Sequence, residues 1–71
     1  MYHTKLISYP LVKEFIDEYK NTDKSINDIL DGLDKDNKIY YELIKVINRY
    51  LKYDKELLIY KIENSSIGND I

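Results

Sequence analysis

The segment Asp36–Ile62, DNKIYYELIKVINRYLKYDKELLIYKI, takes up 27 of the 71 residues and constrains the fold more than any other stretch. Within it Ile39, Leu43, Val46, Tyr50, Tyr53, Leu57 and Tyr60 follow one another at alternating steps of four and three residues. That is the spacing of a heptad-type seam on one face of a helix. A second row, Tyr40, Ile44, Ile47, Leu51, Asp54 and Leu58, runs beside it. Two adjacent rows make the wider face that a helix needs to cover other helices. Read as one helix from Asn37 to Ile62, the segment spans about 39 Å at about 1.5 Å per residue.

Asp54 is the one polar member of the second row. The continuous helix is the expected form, with Asp54 at the margin of the apolar face. Two alternatives stand beside it. Asp54 can cap a new helix starting at Lys55, breaking the long one in two. The Leu, Ile and Tyr content of LLIYKI also permits a strand paired with YHTKLI near the N-terminus.

Two shorter helices precede this segment. Ser8 is placed as an N-cap, with Pro10 in the first turn, where its missing N–H costs nothing. Leu11, Val12, Phe15, Ile16 and Tyr19 then mark one helix face ending near Lys20 and Asn21. In TDKSINDILDG, Thr22 and Ser25 both qualify as caps, and Ser25 with Asp28 forms a weak capping-box analogue. Ile26, Ile29, Leu30 and Leu33 make the stripe, and Gly32 is expected to supply a positive-φ stop. Residues 2–8 read as a frayed arm or a short strand.

The predicted fold is therefore all-α: two short helices packed against a long C-terminal third, forming a single helical domain over residues 1–62. The polar remainder, residues 63–71, is expected to be a disordered tail. Ile16, Ile29, Leu30, Leu43, Val46 and Ile47 lie at the centres of the three apolar faces and form the expected core.

A chain this short buries only roughly 60% of the surface its unfolded form exposes. Small domains are reinforced by disulfides, a metal or a partner chain. With no Cys and one His, the first two routes are nearly closed. The far half of a 39 Å helix also outruns two short partners, at about 1.5 Å per residue. A second copy of the chain is the simplest cover. Tyr50, Tyr53, Leu57 and Tyr60 are thus assigned to a homodimer interface, Tyr being suited to surfaces that are apolar yet partly wet. Tyr41 and Ile59, apolar positions on the otherwise polar face, are assigned to contact with a protein partner.

No site chemistry emerges. Asp31–Glu42 has the length of a calcium-binding loop, but Leu33 and Lys35 stand where oxygen ligands belong, and Asp36 replaces the central Gly. His3 has no second His or Cys to complete a metal site. No nucleophile has a base at a recognisable spacing, and no Gly-rich loop exists to hold phosphates. Catalytic residues, cofactors and metals are all read as none.

A helix-turn-helix centred on Gly32 fares poorly. Asn27 and Asp28 would occupy positions for small apolar residues, Lys38 another apolar position, and Asp34 and Asp36 would face phosphates. The outer face of the long helix is the better nucleic-acid candidate. Lys45, Arg49 and Lys52 lie on it, joined by Lys38, Tyr41 and Lys55. The net charge of −2 argues for no particular partner.

The N-terminal MYHTKLISYPLVKEF lacks the basic-then-apolar pattern of a signal peptide and the length of a membrane span, so the expected location is cytoplasmic. Membrane association is not expected. Ile 11, Lys 10, Tyr 8 and Asn 6 together supply 35 of 71 residues. AT-rich codons favour that composition, which suits a phage, other mobile-element or low-GC bacterial gene. The function expected is that of a small non-catalytic regulator or inhibitor acting through protein–protein contact and self-association. The alternative is a small DNA-binding transcriptional regulator.

Overall fold

A computed structural model describes residues 3–68. In chain order it contains β1 (His3–Lys5), a 3-10 turn (Leu6–Ser8), α1 (Pro10–Asn21), α2 (Ile26–Asp31), α3 (Lys38–Arg49), α4 (Lys55–Glu63) and β2 (Ser66–Gly68). The chain is mostly helical, as its periodicity requires.

Local sequence accounts for most helix ends. Pro10 opens α1, but the N-cap is Tyr9, not Ser8. The Ser8 hydroxyl instead donates to the Lys5 carbonyl oxygen at 2.6 Å. Ser25 caps α2, its Oγ accepting from the Asp28 N–H at 3.2 Å. Asn37 caps α3, its Oδ1 accepting from the Ile39 N–H at 2.9 Å. Gly32 does not provide a positive-φ stop: its φ is −87°. The helix ends through short-range bonds, from the Gly32 N–H to the Ile29 carbonyl and from the Leu33 N–H to the Leu30 carbonyl.

The long third helix is replaced by two. α3 ends where the Tyr50 N–H bonds back to the Val46 and Ile47 carbonyls at 3.2 Å each. A turn follows, closed by the Tyr53 N–H on the Tyr50 carbonyl. Asp54 then starts α4, its Oδ1 accepting from the Leu57 N–H at 2.9 Å. A carboxylate at this position satisfies a donor that a helix start otherwise leaves open, and it complements the positive end of the helix dipole.

The break changes which residues face inward. Leu58, Ile59 and Ile62 join Leu6, Leu11, Val12, Phe15, Ile16, Ile29, Leu30, Leu33, Leu43 and Ile47 in one buried cluster. Ile59, expected on the polar face, is therefore buried. Its displacement follows from the reset in helical phase at Asp54. Val46, expected in the core centre, is only half-buried. The other five expected core residues are buried.

Cations fasten α4 to the C-terminal end of α1. Lys55 Nζ donates to the Thr22 carbonyl oxygen at 3.0 Å. Farther along, Lys20 meets Glu63 at 3.1 Å.

LLIYKI is helical and not a strand. The strand paired with the N-terminal arm is β2, antiparallel to β1, with Thr4 opposite Ile67. The Leu6 N–H extends the pairing to the Ser65 carbonyl at 2.8 Å. Residues 63–68 thus take a different form from the expected disordered tail, and 69–71 lie outside the described residues.

Candidate interaction surfaces

α2 and α3 both pack on α1 but barely touch each other. Their divergence leaves a groove of about 810 Å³. Its floor includes the buried Leu30 and Ile47, and its walls the half-buried Tyr19, Ile26, Tyr40 and Ile44. Leu51 stands at the rim with 55% of its surface exposed. From Tyr40 to Asn48 the α3 wall runs for about 12 Å, a little over two helical turns.

Polar groups lie at the edges. Asp23, Lys24, Ser25, Asn27 and Asp31 line the α2 side, and Asn48 and Lys55 the other. α2 itself contains Asp28 and Asp31 but no Lys or Arg. Asp28 lies on the other side of α2, toward Glu14 and Glu18, and the groove rim carries both signs, Asp23 and Asp31 with Lys24 and Lys55. An apolar trough between two helices is the form that receives an amphipathic helix. Sequence periodicity identified Tyr40 and Ile44 as a second apolar row. That these residues border an open groove depends on how α2 and α3 diverge, which no local pattern encodes.

A second surface is the outer side of α4. Leu57 is 40% exposed and Tyr60 58%. They are the two members of the expected dimer seam that face solvent. Tyr50 and Tyr53 are half-buried in the α3–α4 turn, their rings stacked at 5.7 Å. Lys61 Nζ lies 5.5 Å and 5.8 Å from the two ring centroids. The structure thus places Tyr50, Tyr53, Leu57 and Tyr60 around the turn and α4, not along an extended helix.

Tyr41 is 59% exposed and lies edge-on to Tyr40, with ring centroids 5.5 Å apart. Ile59, its companion in the sequence-based assignment, faces the core.

The basic face divides at the end of α3. Lys45 and Arg49 are exposed one helical turn apart, but Lys52 lies beyond the Tyr50 C-cap and leaves their line. Lys45 also approaches Glu42 at 3.6 Å. Among the described residues no three His, Cys, Asp or Glu side chains gather as a metal site requires. No helix among them is long and apolar enough to cross a membrane.

No known protein family, curated protein or solved structure matches the chain.

Proposed function

We propose that this chain is a small, non-catalytic, cytoplasmic interaction protein that regulates or inhibits a larger protein and also self-associates. The groove between α2 and α3 is the observation that supports this reading most. Its apolar floor and walls are open, and its dimensions match about two turns of a helix. The occupant is an amphipathic helix of the partner. Its apolar side chains recur at i, i+3, i+4 and i+7, and its flanks carry polar residues of both signs to meet Asp23, Asp31, Lys24 and Lys55. Contact of this kind needs no reacting group, only exclusion of water from the floor and correct placement of a few anchors.

The test is photo-crosslinking in cells that carry the gene, with the reactive group placed at Asn48 on the groove wall and, as a control, at Lys13 on α1. The reading requires one defined protein to crosslink from Asn48 and not from Lys13. Its purified form should lose at least about tenfold in affinity for Leu51→Asp, since a hot-spot anchor is worth about 2 kcal/mol or more. Undiminished affinity of Leu51→Asp would reject the groove.

The DNA-binding alternative rests on Lys45, Arg49 and Lys52. It requires duplex binding whose log–log salt slope is roughly −0.9 per phosphate contacted. Such binding, lost when all three residues become Glu, would replace the protein-partner reading.

A further inference from the structure

We infer that a second copy of this chain covers the outer side of α4, the two α4 helices running parallel about a two-fold axis. This inference rests on the self-association proposed above and gives it a geometry. Leu57 and Tyr60 are three residues apart on one exposed stripe, the spacing of neighbouring core positions in a two-helix seam. The rest of α4 is committed to its own core through Leu58, Ile59 and Ile62.

Charge selects the orientation. Glu56 and Lys61 bracket the stripe. Five residues apart, they are separated by about 140° around the axis and so lie on opposite flanks of Leu57 and Tyr60. Their neighbours agree: Glu56 borders the α1 side with Lys20 and Ile59, whereas Lys61 borders the α3 side with Arg49 and Tyr50. Among the described residues neither forms an ion pair.

In a parallel two-fold pair, opposite flanks meet. Each Glu56 then reaches the partner's Lys61, and the contact occurs twice. In an antiparallel pair, like flanks meet: Glu56, beside the Lys20–Glu63 ion pair, faces its own copy on one side, and Lys61 with Arg49 faces its own copy on the other. The parallel arrangement matches unlike charges where the antiparallel one opposes like charges.

The stripe is short, since α4 has nine residues. Its contact area falls below the roughly 800 Å² per partner of a standard interface. The dimer is accordingly weak, with dissociation in the micromolar range or above, and its formation depends on concentration.

Sedimentation equilibrium over a wide concentration range, with the full chain, tests the inference. Wild type should pass from monomer to dimer. Leu57→Asp should remain monomeric, with an unchanged far-ultraviolet spectrum because Leu57 is outside the core. Glu56→Lys and Lys61→Glu should each weaken dimerisation about tenfold or more. The double exchange should restore it, and mixing the two single variants should yield a heterodimer.

A wild type that stays monomeric throughout would overturn the inference. So would a dimer indifferent to Leu57→Asp, or one that Glu56→Lys leaves unchanged, since antiparallel pairing sets like against like with either residue. Leu51→Asp in the groove should leave dimerisation unchanged, which separates this result from the fate of the groove reading.

Discussion

Lys55 donates from Nζ to the Thr22 carbonyl oxygen at 3.0 Å while lying 4.8 Å from the centroid of the Tyr19 ring. The first residue of α4 is thereby fixed to the last turn of α1, where a helix presents unpaired carbonyls and the negative end of its dipole. Lys55→Met keeps most of the stem and removes the charge and the donor. It should lower unfolding free energy by about 1 kcal/mol. Lys20→Met removes only the exposed pair with Glu63 and should cost well under about 1 kcal/mol. Urea titration of both variants checks the order; equal losses would mean that Lys55 has no special place.

Asp54 offers a test of opposite signs. As the cap of α4 it should lose about 1 kcal/mol, within a range of about 0.5–2, when replaced by Ala. Ser or Asn should recover most of that loss. Inside a continuous helix the same Ala would stabilise, because Ala has the highest helix propensity. Thermal melting of Asp54→Ala and Asp54→Asn shows which sign holds.

Gly32 stands at φ −87°, a conformation open to any L-residue. A Cβ added there would meet the Ile29 carbonyl oxygen at 3.6 Å, an ordinary contact. Gly32→Ala should therefore be neutral or stabilise by up to about 1 kcal/mol, through the reduced entropy of the unfolded chain. A loss of stability in calorimetry would show that the position needs glycine after all.

Leu43 and Ile62 are both fully buried. Replacing either with Ala should cost about 2–5 kcal/mol. The Ile62 result is the more informative, since Ile62 enters the core only because α4 folds back. An Ile62→Ala variant that melts with wild type would remove α4 from the core.

The stripes of α1, α2 and α3 were legible because each is a local pattern of apolar residues three and four apart. The same was true of Pro10 and of the Ser25–Asp28 cap. The break at Asp54 was visible only as an alternative. Tyr50, Tyr53, Leu57 and Tyr60 continue the seam's spacing straight through it. The outcome turns on a tertiary term, the burial of Leu58, Ile59 and Ile62 against α3 and Leu6, together with the capture of the Leu57 N–H by Asp54. Misreading the phase misplaced Ile59. The groove shares this origin: Tyr40 and Ile44 were identifiable as apolar, but their partial exposure follows from the divergence of α2 and α3. The pairing of β1 with β2 is also tertiary, because only the folded core brings those two segments together.

The central claim is that the segment from Asn37 to Asn64 doubles back on itself within one chain. Spin labels at Lys38→Cys and Asn64→Cys, diluted with unlabelled protein and measured by pulsed dipolar spectroscopy, address it directly. A folded-back α3–α4 pair predicts a distance well short of the about 39 Å that a continuous helix at about 1.5 Å per residue would give. A single population near that longer distance would contradict the account.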